Sequence, residues 1–168
     1  MTPNEYQKLA QRTSPAGHDR ILNGTMGLIG ESGEVVDAVK KWTFQTTKDT
    51  PFPKQKLIEE IGDVLWYVAE VCTGMDLQMG NLFQKKMYTG RDTPQEVALS
   101  IAGFAMRVRS ESTYETKLYM MLLIGACKYM LEMYCDSTLE AAMEGNIEKL
   151  RKRYPDGFDP ERSMNRAG

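Results

Sequence analysis

Apolar residues recur at spacings of three and four through most of this chain, while the alternation that a half-buried strand needs is scarce. That period predicts an all-α fold, a bundle of helices. Punctuation sets their limits. Thr2, Pro3 and Glu5 combine a capping hydroxyl, a proline at the first helical position and a carboxylate three residues after the cap, which predicts a helix over 3–13. A second is expected over 20–43, ended by the Thr- and Pro-rich TFQTTKDTPFP, and a third from Lys54 to Cys72, broken at Thr73-Gly74. Shorter helices are expected over 76–88, 94–109, 115–135 and 137–153; Pro155 and Gly157 close the last, leaving RSMNRAG as a frayed or docked tail.

With 168 residues the chain is long enough for one domain with a substantial core, and 1–168 is read as a single domain. Its 21 basic and 23 acidic residues leave no overall basic field, which argues against nucleic acid or an anionic membrane surface as partner. Any phosphate binding must therefore be local. Cys72, Cys127 and Cys135 stand in apolar surroundings without metal-ligand spacing and read as buried thiols of a reducing compartment. The polar MTPNEYQKLAQRT has no apolar signal core and no run of about 18 apolar residues occurs, so a cytoplasmic protein is expected.

Within the second helix, GLIGESGEVVDAV places two carboxylates, Glu31 and Glu34, three apart in a small or apolar run. On a helical wheel Leu28, Val35, Val39 and Trp42 form the core-facing stripe, and both acids flank its edge. Gly27 and Ala38 share their side and leave room for an approaching group. The third helix repeats the pattern in EEIGDVLWYV, where Glu60 and Asp63 flank a stripe of Leu57, Ile61, Val64, Val68 and Val71. Packed antiparallel, the two helices bring four carboxylates together, and mutual repulsion then demands compensation. Divalent cations supply it, and an all-oxygen donor set favours Mg²⁺, with Mn²⁺ as substitute. Solvated acids on amphipathic helices are the plainer alternative. His18 is the one histidine, so the Glu-x-x-His pairs of di-iron bundles are absent.

A basic stripe lies far along the chain, in GNIEKLRKRYPDGF. Asn146, Lys149 and Arg153 share one side of a helix, next to the apolar Met143, Ile147 and Leu150, while Arg151 points elsewhere. Guanidinium, ammonium and amide together suit a phosphate chain. A basic last turn that complements the helix dipole is the alternative.

Glu31-x-x-Glu34, then Glu60-x-x-Asp63 in EEIGDVLWYV, then Asn146-x-x-Lys149 and Arg153 resemble the MazG-like nucleotide pyrophosphohydrolases, which belong with the dimeric dUTPases to the all-α NTP pyrophosphatases. The resemblance covers 20–75 and 136–162. It implies Mg²⁺-dependent hydrolysis of a nucleoside triphosphate, a deoxynucleotide first of all, to the monophosphate and pyrophosphate. By it, Glu31, Glu34, Glu60 and Asp63 hold the metal; Lys149 and Arg153, helped by Asn146, grip the phosphates; and Glu34 is the candidate base for an activated water. Lys41, near the Glu34 side of its helix, is a further phosphate candidate, and Trp42 or Tyr67 a candidate for stacking a base. A homo-oligomer is also implied, a dimer first.

One departure stands out: roughly 60 extra residues, 76–135, separate the acidic from the basic segment. A degenerate internal repeat accounts for them, since IGDVLWYVAEVC (61–72) and IGACKYMLEMYC (124–135) share their Ile-Gly start and Cys end. The expectation is then a single chain whose site takes acids from its first half and bases from its second. Hydrolysis of another nucleotide, such as a guanosine tetraphosphate-like one, and a noncatalytic helical interaction protein remain alternatives.

Overall fold

The computed structural model describes residues 1–83, 88, 92–108 and 112–164. Six helices of nine residues or more make up the fold: α1 (Pro3–Gln11), α2 (Arg20–Gln45), α3 (Lys54–Gly74), α4 (Pro94–Ala105), α5 (Thr113–Tyr134) and α6 (Leu139–Arg153). A short α7 (Pro160–Met164) follows, and no strand occurs among the described residues. The all-α expectation holds, with helix ends shifted by a few residues. Thr2 and Glu5 form the reciprocal capping box expected of them, and Thr93 with Glu96 builds a second one at α4.

α3 is the centre of the molecule, touching α1, α2, α5 and α6. Its surroundings explain its sequence. Leu57, Ile61, Val64, Val68 and Val71 are all fully buried, and so are Leu65, Ala69 and Cys72 on other sides of the helix. α2 lies antiparallel against it at very short range. A Cβ on Gly24 would stand 2.5 Å from Val71 Cγ2, and one on Gly27 would stand 2.1 Å from the Tyr67 ring. The space expected beside Gly27 is thus filled by Tyr67 rather than open to an approaching group. α4 then covers α2 and packs on α5, while α1 and α6 close the other side of α3.

The helix expected over 76–88 is largely replaced by a short 3₁₀ turn, Met79–Leu82, and 84–87 lie outside the described residues. The physical reason is competition for backbone donors. Gln7 Oε1 accepts from Met79 N at 2.8 Å and Asn4 Oδ1 from Gly80 N at 2.8 Å, so side chains of α1 hold the segment in place. The two halves of the suggested repeat fall on α3 and α5, where Ile61 and Ile124, and Cys72 and Cys135, are all buried. Beyond them the likeness ends, because α3 leads into the 3₁₀ turn and α5 into the fifteen-residue α6.

All three cysteines are free and buried. Burial pushes the Cys72 and Cys127 thiols up to about 12 and Cys135 to about 11, so they stay protonated at neutral pH. No single helix is long and apolar enough to cross a membrane among the described residues.

Candidate metal centre and its flanking clefts

The antiparallel register of α2 and α3 sets one acid rung opposite the other. Glu31, Glu60 and Asp63 each turn one carboxylate oxygen to a common point, all three within 4.8 Å of one another. Glu60 is buried and the other two are half-buried. This all-oxygen donor set, on two rigid helices, fits a hard divalent cation. Glu34 is not part of that group. It sits one turn further along α2, exposed, and lines a different cleft.

Asp63 is tied directly to α6. Lys149 Nζ donates to both of its oxygens at 2.5 Å, and Asn146 Nδ2 donates to Oδ1 at 2.7 Å. α6 delivers these two residues across 83 and 86 positions of sequence. The close seat of α6 follows from Gly62, where an added Cβ would lie 3.1 Å from both Ala142 O and Asn146 Cβ. Asn146 is itself oriented by Tyr6, a fully buried residue of α1 whose hydroxyl donates to Asn146 Oδ1 at 2.8 Å and to the Gly62 carbonyl at 3.2 Å. Burial, and then the charge of Asp63, hold the Tyr6 phenol well above its usual pKa, so it remains a donor. Nothing in the sequence pattern singled out Tyr6. Tyr6→Phe strands the buried Asn146 oxygen and is expected to destabilise by about 1–2 kcal/mol, read by denaturant unfolding, and to loosen Asn146.

Two clefts adjoin the acid group. The first is lined by Glu31, Asp63, Lys149 and Arg153 and walled by Trp66, Tyr67, Tyr154 and Phe158, with Asn23 and Thr13 at its margin. Trp66 is held there by a hydrogen bond from Nε1 to Thr13 Oγ1 at 3.0 Å and stands edge-on to Tyr67, ring centroids 4.8 Å apart. Phe158 is fixed by its backbone N–H on the Arg12 carbonyl at 3.1 Å. Of the two stacking candidates named from the sequence, Tyr67 lines this cleft. Trp42 lines the second, where its Nε1 donates to Thr50 O at 3.2 Å. Trp66, Tyr154 and Phe158 were not candidates, because a helical wheel alone does not show which aromatic residues of α3 and of the segment between α6 and α7 share a cleft.

The second cleft is lined by Glu34, Asp37, Ala38, Lys41 and Lys56 as well as Trp42. Lys41 pairs with Asp37 at 2.6 Å, and Lys56 pairs with Glu60. Lys41 therefore lies apart from Lys149 and Arg153, which share the first cleft.

Residues 21–88 match the MazG nucleotide pyrophosphohydrolase domain, and both acidic pairs fall inside that match. A relative, the Gene 37 protein of Mycobacterium phage L5, is 38% identical over 66 residues, covering 38% of this chain and 56% of the phage protein. The chain thus spans little more than half the length of that relative. No solved structure matches it. The matched segment carries Glu31, Glu34, Glu60 and Asp63, whereas Asn146, Lys149 and Arg153 lie outside it and reach it only through the fold.

Proposed function

We propose that this protein is a Mg²⁺-dependent nucleoside triphosphate pyrophosphohydrolase, acting on deoxynucleotides first of all and yielding the monophosphate and pyrophosphate. The observation that carries this reading is the convergence of Glu31, Glu60 and Asp63 inside a MazG segment, with Lys149 and Arg153 beside them. Glu31, Glu60 and Asp63 would hold a divalent cation, Mg²⁺ or Mn²⁺ in its place, which would supply positive charge against the phosphates and lower the pKa of the attacking water.

The chain's own groups supply the rest. Lys149 and Arg153 balance the phosphate negative charge, the first as a point charge and the second as a planar fork. Asn146 fixes the direction of Asp63, and Tyr6 fixes Asn146. The aromatic walls of the first cleft suit a nucleobase. Glu34, free of the three-acid group and one turn from Glu31, is suited to take the proton of the attacking water. As that water's oxygen bonds to the α phosphorus, the bond from the α phosphorus to the bridging oxygen breaks and pyrophosphate departs.

Pyrophosphate release from a panel of NTPs and dNTPs, with and without Mg²⁺, tests the proposal. Cation-dependent turnover of at least one nucleotide is expected, and no turnover of any would leave a helical interaction protein as the better reading. Glu34→Gln separates roles within the site. It is expected to lower kcat by about a hundredfold while metal affinity stays nearly unchanged. A cytoplasmic location is expected, and the family resemblance favours a homo-oligomer, which light scattering reads directly.

A further inference from the structure

Past Arg153 the chain runs directly into the wall of the aromatic cleft. Tyr154, Phe158 and Ser163 line it together with Asn23 of α2 and Trp66 and Tyr67 of α3. The first three lie outside the 21–88 match, so the cleft is built from two distant parts of the chain.

Local chemistry bends the segment this way. Pro155 pushes Tyr154 out of the helical region, to φ −129° and ψ 68°, and α6 ends there. Gly157 then takes φ 103°, a conformation that favours glycine. A Cβ on it would stand 3.3 Å from the Arg12 carbonyl oxygen, the same oxygen that accepts from Phe158 N at 3.1 Å. The turn thus fastens Phe158 to the end of α1. Asp159 starts α7, its Oδ1 accepting from Glu161 N at 2.9 Å and its carbonyl from Ser163 N at 3.0 Å, and this turn brings Ser163 to the cleft.

The lining residues differ in what they have left to offer. Tyr154 is buried, its ring tilted 33° from that of Phe158 with centroids 5.9 Å apart. Phe158 is only half-buried, so a ring braced by Tyr154 keeps surface in the cleft. The Thr13 hydroxyl already donates to Ala10 O at 2.8 Å and accepts from Trp66 Nε1 at 3.0 Å. Asn23 and Ser163 are neutral groups that both donate and accept. A nucleobase needs a π-face to stack on and neutral polar groups at its edge, whereas a bare phosphate chain needs neither.

From this layout we infer that Phe158 is the stacking platform for the nucleobase, with Ser163 at the base edge, so that the segment after α6 determines nucleoside affinity. The inference rests on the pyrophosphohydrolase reading and deepens it. One continuous stretch then holds the nucleotide, with Lys149 and Arg153 facing its phosphates and, past the turn at Gly157, Phe158 on its base.

The test is binding of nucleoside monophosphates and of inorganic tripolyphosphate, which has no base, by calorimetry at saturating Mg²⁺, to the full chain and to Phe158→Leu, Phe158→Tyr and Ser163→Ala. Phe158→Leu keeps an apolar side chain against Tyr154 and removes the π-face. It is expected to weaken the monophosphates about tenfold or more and tripolyphosphate less than about twofold, while Phe158→Tyr stays within about threefold of the parent. Ser163→Ala is expected to shift the order of affinity among the monophosphates of the four bases and to leave tripolyphosphate unchanged. Equal weakening of both ligand classes by Phe158→Leu would make Phe158 a packing residue and overturn the inference. So would monophosphate binding by Phe158→Leu as tight as the parent's, and an unaltered order in Ser163→Ala would remove that residue from the base edge. Lack of turnover by an unsubstituted protein whose monophosphate binding still depends on Phe158 would count against the hydrolase reading alone.

Discussion

Asp63→Asn is expected to lower pyrophosphate release by about a thousandfold or more while shifting the thermal midpoint by only a few degrees. The two effects separate for a physical reason. Asp63 is one of three acids whose oxygens lie within 4.8 Å, so in the folded chain it contributes repulsion as well as pairing. Its attraction for Lys149 is partly spent against solvent, since that lysine side chain is 40% exposed. An amide of the same shape removes one negative charge from the group and keeps the packing of α3. What it cannot do is bind a hard cation as a carboxylate does, and its amide nitrogen sets a donor against Lys149 or Asn146. Thermal unfolding, Mg²⁺ calorimetry and pyrophosphate release on one preparation check all three consequences. Inactivity accompanied by a collapse of the midpoint would assign Asp63 to the fold rather than to chemistry.

The sequence makes the acid pairs legible because a helical wheel needs only the period and the position of the apolar stripe. Leu28, Val35 and Val39 on α2 and the stripe of α3 are buried as expected, which fixes the edges on which the acids stand. The wheel does not give the axial offset between two packed helices. That offset is set here by Gly24 and Gly27 against Val71 and Tyr67, and it brings Glu31 to the rung of Glu60 and Asp63 while Glu34 faces the neighbouring cleft. The same limit applies to the aromatic residues. Trp42 and Trp66 both border apolar stripes, but only the hydrogen bond to Thr13 and the placement of Tyr154 and Phe158 around the same cleft make Trp66 a cleft wall. The basic stripe was legible as a stripe; its delivery to Asp63 depends on Gly62 letting α6 approach, which no local pattern encodes.

Glu70→Ala is expected to behave in the opposite way, destabilising the fold by about 3–5 kcal/mol and lowering the thermal midpoint by on the order of ten degrees. Glu70 interrupts the apolar run VLWYVAEVC of α3 and is fully buried. Its partners all come from α1, the following loop and the start of α2. His18 Nε2 lies 2.5 Å from Oε1, Ser14 donates to Oε1 at 2.8 Å, and Arg20 and Gln11 donate to Oε2 at 3.1 and 3.2 Å. Removing the carboxylate leaves an arginine and an imidazole facing a cavity, the costly half of a broken buried pair. A consequence for the site follows, because the same loop carries Thr13, which anchors Trp66, and Pro15, which lines the aromatic cleft. Near neutral pH and well below the midpoint, the variant should keep Mg²⁺ affinity, set by Glu31, Glu60 and Asp63, but bind nucleotide more weakly as that wall loosens. Denaturant unfolding gives the first quantity, and paired Mg²⁺ and nucleotide titrations give the second. A Glu70→Ala protein as stable as its parent would mean that the buried cluster does not fasten the loop to α3.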